Sequence, residues 1–377
     1  MAQTALAEQD RAIMLLVGSS ATWNSNIFLT PSNARSVYYA APYVGLRLDK
    51  LYAQQEFQAH VTETFYRYSI SALNSNSFEY GGAWLWHLSP RVNGTISADR
   101  NQSVNNFSNF QGNGAQNFVV TTENRNFTLD NSLFGGWHLL AGASDFRSTN
   151  SQPFTVLGDY RLYGFSDTGV RYVTQSGNSI SAVNRWSQGS YLNQAADPVT
   201  VLDNAFQEQE NGLRSTWNLG GKSSVNTRLS WLARRYQNFA QRNYSGPTGE
   251  IVFYWAPLSS KLGFNLAYRR DLAAFLTDQS SFTVTNTFSF APSWQVSPKI
   301  ALRMNLAHAK LAYRGPVVGP PFPLRGDTVL SALLAADWTP LRNVSLSASV
   351  QRSRRTSNIS AFEYNNTIGF INASLKF

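Results

Sequence analysis

Apolar and polar side chains alternate, residue by residue, in segment after segment of this 377-residue chain. After Pro340, Val344, Leu346, Ala348 and Val350 fall on one face, and Ser345, Ser347, Ser349 and Gln351 on the other. After Lys261, Leu262, Phe264, Leu266 and Tyr268 oppose Asn265, Ala267, Arg269 and Asp271. Ile300, Leu302, Met304 and Leu306 likewise oppose Arg303 and Asn305, while Val225, Leu229 and Trp231 oppose Asn226, Arg228 and Ser230. A period of two places successive side chains on opposite faces of a β-strand. Helical spacing is nowhere sustained, so the chain is expected to be all-β, with turns marked by Gly, Pro, Asn and Ser clusters.

Charge decides which face is the inner one. Charged residues make up 14% of the chain and aromatics another 14%, against roughly 25% charged in ordinary soluble domains. The polar face nevertheless carries the Arg and Asp residues, and a face so charged cannot pack as a core. The apolar face must then look outward, into lipid. No run of 18 or more apolar residues exists, which rules out helical membrane spans, whereas strands of a membrane barrel show their apolar side only at alternate positions.

Short turns alternate with longer polar connections at 105–118, 192–205, 237–246 and 314–325. Counting segments gives about 18 strands, an even number that sets both chain ends on the short-turn side. Up-and-down closure is the simplest arrangement with no unpaired edge. The expected fold is thus a single transmembrane antiparallel up-and-down β-barrel of the outer-membrane type over residues 12–377. Residues 1–11 would form a short periplasmic tail. "MAQTALAEQD" lacks the charged start and apolar core of a secretion signal, so a cleaved signal is expected to have preceded it.

Trp86, Trp137, Trp217, Trp255, Trp294 and Trp338 all fall at strand ends beside short turns. Their amphipathic rings suit the headgroup boundary, and they are expected to form the periplasmic girdle. In the closing stretch "GFINASLKF", Ile371, Ala373, Leu375 and Phe377 share the lipid face of a last strand that closes against the first. Arg352 and Arg354 are expected to point outward at the long-loop end, near lipopolysaccharide phosphates.

Catalytic and metal chemistry find no foothold. Cysteine is absent and there are 4 His, and no G-x-S-x-G, H-E-x-x-H or Walker-type loop occurs. His60 and His87 fall on lumen faces with no activated Ser beside them, and the "GNG" at 112–114 is a loop turn. Neither an enzyme nor a cofactor site is expected. The net charge of +9 is scattered singly along the chain, so nucleic acid is not an expected partner.

The lumen face supplies the candidate site. Arg47, Arg171, Arg214, Arg228, Arg234, Arg269 and Arg303 all land on it, interleaved with Asp99, Asp130, Asp167, Asp271 and Asp337. Tyr163, Tyr236 and Tyr254 are expected to offer flat surfaces for sugar rings. Free guanidinium groups would favour anionic cargo, and pairing with the acids would weaken that preference.

Several stretches resemble the EpsL-type outer-membrane proteins of exopolysaccharide operons, the group associated with exosortase and PEP-CTERM systems. Among them are "GLRLDKLYAQQ", "AWLWHLSPRVNGTISADRNQS", "DPVTVLDNAFQEQENGLRSTW", "PSWQVSPKIALR" and "PLRNVSLSASVQRSRRTSN". The resemblance implies a bacterial outer-membrane conduit for a secreted exopolysaccharide, working with periplasmic and inner-membrane synthesis and export proteins. It brings no catalytic or sugar-contacting residues with it. The expectation is a monomeric export conduit with a polar, Arg-rich lumen; the alternative is a general or solute-specific diffusion porin.

Overall fold

The structure, a computed structural model, describes residues 12–105, 107, 117–152, 159–257, 260–274, 280–315 and 324–377. The expected tail at 1–11 and most of the loops at 105–118 and 314–325 lie outside the described residues. Eighteen strands follow in chain order. The first nine are β1 (Ile13–Asn24), β2 (Val37–Tyr52), β3 (Gln55–Tyr68), β4 (Ser75–Ser89), β5 (Val92–Val104), β6 (Val119–Ser132), β7 (Trp137–Asn150), β8 (Tyr160–Val173) and β9 (Ser179–Tyr191). The second nine are β10 (Ala205–Gly220), β11 (Ser223–Tyr236), β12 (Tyr244–Trp255), β13 (Leu262–Ala274), β14 (Phe282–Ser297), β15 (Ile300–Arg314), β16 (Gly326–Leu341), β17 (Val344–Ser357) and β18 (Tyr364–Lys376).

Each strand pairs antiparallel with its neighbours in sequence, and β1 pairs with β18 to close one 18-stranded sheet. At the seam the Leu15 and Phe377 N–H groups each donate to the other's carbonyl, at 3.0 and 2.9 Å. Closure leaves no strand edge to be solvated, the condition a sheet must meet inside lipid. The end that holds both termini has short connections, such as Gly221–Lys222, Pro298–Lys299 and Arg342–Asn343, and the opposite end carries the longer loops.

Concavity identifies the inner face. Arg228 on β11 and Asp271 on β13 stand two strands apart, yet their side chains converge to 3.9 Å. On the opposite parity, Leu213, Leu229, Ile251, Phe288 and Leu334 are exposed, as befits a lipid-facing wall. Five of the six expected girdle tryptophans project outward at the short-turn end as anticipated. Trp86 is also on the outward register, opposite Gly94, but it is only 5% exposed and stacks against Phe127 at 6.1 Å. It lies flat in the notch that Gly94 leaves, where a Cβ would meet both its ring and the Thr128 carbonyl.

Two hydrophobic clusters occupy the long-loop end of the inner face. One brings Ile27 and Phe28 of the β1–β2 loop and Phe107 and Phe118 of the β5–β6 loop onto Val37, Tyr68 and Leu73. The other sets Leu202 of the β9–β10 loop against Tyr191, Phe206, Leu232, Tyr236 and Tyr244. The described residues of these loops therefore pack inward, onto the wall at the mouth. The Trp86 notch makes one stability prediction: Gly94→Leu should cost about 1–3 kcal/mol through overpacking, read as a lower urea midpoint of the refolded barrel with an unchanged m-value.

Candidate functional site: the luminal wall

The inner wall is built from guanidinium–carboxylate pairs. Towards the short-turn end, Arg47 lies 3.8 Å from Asp49, Arg303 grips Asp337 through Nε and an Nη at 2.6 and 2.9 Å, and Arg171 pairs with Asp130, which also meets His138 at 2.6 Å. Arg214 pairs with Asp167. Higher up, over β9–β13, the pairs merge into a ladder around a hollow of 360 Å³. Arg185 bridges Glu208 and Glu210 at 3.1 and 2.5 Å, Arg234 takes Glu208 at 2.6 Å, and Arg228 and Arg269 share Asp271.

Local sequence explains most of this. Residues two apart on a strand share a face, so "FQEQE" delivers Glu208 and Glu210 to the lumen together and "RRD" delivers Arg269 with Asp271. Asp167 arrives differently. The register shifts between Phe165 and Thr168, and Asp167 has φ +49°; this bulge turns its carboxylate inward to Arg214. A one-residue bulge also reverses parity along the rest of the strand. Tyr163 and Arg171 therefore cannot both face the lumen, and it is Tyr163 that points outward, 5.0 Å from the Arg161 guanidinium.

The other candidates divide by access. All seven expected arginines are on the inward register, but Arg234 is 9% exposed, stacked over Phe206 at 3.9 Å. Tyr236 is inward yet buried under the Leu202 cluster, which leaves Tyr254 as the expected tyrosine that is open to the lumen, 38% exposed. All seven arginines also have a carboxylate partner, whereas Glu56, Glu79 and Asp99 face the same water with no guanidinium within 4 Å among the described residues. The expected basic lumen is thus charge-balanced, with spare acid.

The inward loop is held by buried polar groups that sequence patterning does not single out. Asp203, fully buried, accepts from Asn238 N–H and Nδ2 and from Phe239 N–H at 2.7, 2.8 and 2.9 Å. Arg242, also fully buried, donates from Nε to the Val201 carbonyl at 2.7 Å and from its Nη atoms to the carbonyls of Thr200 and Ser280 at 2.9 and 3.3 Å. Loops from three strand pairs are tied together in this way. A short 3-10 turn at Ala240–Arg242 places the guanidinium where it can reach all three carbonyls.

A concavity of 1240 Å³ lies on the outer wall, where small outward residues Ala21, Ala40, Ala336, Ala348 and Gly369 meet across five neighbouring strands. These come from both ends of the chain, so linear patterning does not bring them together. The hollow is apolar and faces lipid; it carries no solute chemistry.

Residues 216–377 match the family model "Putative beta-barrel porin 2", the part of the barrel from the end of β10 to β18. Among solved structures, Pseudomonas aeruginosa OpdL shares the fold at 10% identity and TM-score 0.51, over 98% of this chain and 99% of that one. Pseudomonas aeruginosa OccK2 in complex with glucuronate is similar at 10% identity and TM-score 0.53, covering 98% and 97%. Pseudomonas aeruginosa OpdQ gives 10% identity and TM-score 0.53, covering 97% and 98%. No curated protein matches the chain. The molecule is a closed 18-stranded β-barrel of the bacterial outer-membrane type, sharing the fold of these solved structures.

The Asp203 latch has a defined pH range. Burial pushes its carboxyl up, but the donations from Asn238, Phe239 and Ala205 outweigh burial and hold it below the ordinary 3.8. A lowered carboxyl contributes its stabilisation above that ordinary value and loses it as pH falls through the folded one. Single-channel conductance should stay level from pH 7 to about 5 and change only below 3.8. Asp203→Ala, which removes hydrogen bonds to a charged group costing about 1.5–3 kcal/mol each when lost, should raise conductance and protease cleavage of the β9–β10 loop already at pH 7.

Proposed function

We propose that this barrel is a diffusion channel for small hydrophilic solutes, selective through the paired charges of its inner wall. The observation that carries the reading is the combination of a charge-balanced luminal ladder with a mouth narrowed by inward-packed loops. Fully paired arginines present alternating donors and acceptors at fixed positions. A small solute bearing hydroxyl or carboxylate groups can exchange hydrogen bonds with such a wall step by step, without meeting a field of one sign. The Asp203 and Arg242 contacts anchor the β9–β10 loop, and a passing polymer would have to displace it. The likeness to porin structures, one of them holding glucuronate, supports a small-solute channel over an export conduit.

Exopolysaccharide export, implied by the EpsL-like segments, is the second reading. It calls for a clear path along the axis and for a wall that favours one polymer charge. The pairing of Arg228, Arg269 and Arg303 removes the second of these supports.

Planar-bilayer recording and liposome swelling separate the two. A small-solute channel admits monosaccharides and sugar acids at rates that fall with size, and long anionic oligosaccharides leave its current untouched. Polymer-dependent block with no uptake of small sugars would sink the proposal. Asp271→Asn leaves Arg228 and Arg269 without their carboxylate. A unit charge acts on an ion about 8 Å away in water with about 0.5 kcal/mol, of opposite sign for anion and cation. The anion/cation permeability ratio should therefore rise roughly fivefold at low salt and roughly twofold at about 0.15 M, where the Debye length is about 8 Å, measured from reversal potentials in a salt gradient.

A further inference from the structure

The chain carries a net charge of +9, yet the lumen is balanced. The surplus is divided between the short turns, at Arg91, Lys222, Lys261, Lys299 and Arg342, and the outer wall in the half nearer the long loops. Strand register places Arg67 opposite Ala40, Arg100 opposite Tyr80 and Arg270 opposite Gly249, all on the lipid-facing parity. Arg161 pairs in register with Arg147 on the same face, and Arg352 and Arg354 stand opposite Ala332 and Leu330.

Two of these arginines head a groove. Leu266, Phe288, Phe290, Leu306 and Leu330 line an apolar hollow of 640 Å³ on the outer surface of β13–β17, with His308 among them and Arg352 and Arg354 at its rim. Neither guanidinium has a carboxylate within 4 Å among the described residues. Their height follows from the strand. Leu346 stands opposite the girdle residue Trp338, and a strand tilted by about 40° climbs about 2.6 Å along the membrane normal per residue. Arg352 and Arg354 therefore lie about 16 and 21 Å above the girdle, near the top of an apolar band about 25 Å tall. Side chains of this length reach the headgroup layer from there.

We infer that this groove is a binding site for a phosphorylated glycolipid of the outer leaflet, an acyl chain lying along Phe288, Phe290 and Leu306 and a phosphate held by Arg352 and Arg354. Guanidinium recognises phosphate through paired, charge-assisted hydrogen bonds, and both groups come without an internal competitor. A second copy of the chain is the poorer occupant. Among the described residues, three outward carboxylates stand in this half: Asp145, which Arg161 already grips at 2.7 and 2.9 Å with Arg125 at 3.7 Å, and Glu63 and Glu123, opposite Val44 and Arg100. The outward arginines Arg67, Arg100, Arg147, Arg161, Arg270, Arg352 and Arg354 outnumber them. Two such belts would repel each other.

The test is native mass spectrometry of the full refolded barrel, released from detergent, with bis-phosphorylated lipid A as the probe. Dephosphorylated lipid A and inorganic phosphate serve as separate arms. The expected result is retention of bis-phosphorylated lipid A at least tenfold above the dephosphorylated form, unaffected by millimolar inorganic phosphate. Arg352→Gln combined with Arg354→Gln should cut the tightest retention about tenfold, while Arg352→Lys with Arg354→Lys, which keeps the charge but not the paired geometry, should restore only part of it. Folding of each variant is checked by heat-modifiable gel mobility and by unchanged single-channel conductance, since neither residue lines the lumen. Equal retention of the two lipids, or full retention by the folded double Gln variant, would overturn the site. Displacement by inorganic phosphate alone would also overturn it, by showing an anion site with no part for the groove.

Discussion

Backbone hydrogen bonding in a medium without water is the constraint on which the rest of this structure depends. Every N–H and C=O within the hydrocarbon must find a partner in the protein, and eighteen strands do so only because β18 returns to β1. The reciprocal bonds between Leu15 and Phe377 belong to that seam. Once the sheet is closed, the strand period of two divides the chain into an inner and an outer population of side chains. The lumen, the lipid face and the girdle all follow from that division.

Closure also sets the electrostatics. On the concave side neighbouring strands aim their side chains at one another, so charges two strands apart can meet, as Arg228 and Asp271 do. On the convex side side chains splay, and charges there stay apart unless they are direct neighbours, as Arg161 and Asp145 are. Acids and bases thus neutralise each other inside, while the excess of arginine stands alone outside. The same curvature explains why a wall that is rich in arginine need not be basic.

Much of this architecture was legible in the sequence because it depends on period and position within a strand. The outward Trp137, Trp217 and Trp294, the inward Arg47, Arg214 and Arg303, and the strand number all follow from alternation and turn spacing. Tyr163 escaped because the bulge at Asp167 reverses parity, and nothing in "YGFSDTG" distinguishes a bulge from an uninterrupted strand. Tyr236 and Arg234 had the right face but the wrong exposure, because Leu202, thirty-odd residues away in the chain, packs onto the cluster that holds Tyr236 and because Arg234 lies between the Phe206 and Tyr244 rings. Asp203 and Arg242 lie in connections, where no period marks which polar residues will be buried.

By itself the sequence determined the fold class, the even strand number, the sign of each face and the aromatic girdle, since these are properties of single strands repeated around a ring. Only the tertiary structure decided which charges meet, which loops pack inward and where small residues gather on the outer wall. Those features arise between segments far apart in the chain. Their energies depend on distances that closure of the sheet creates and that no local pattern encodes.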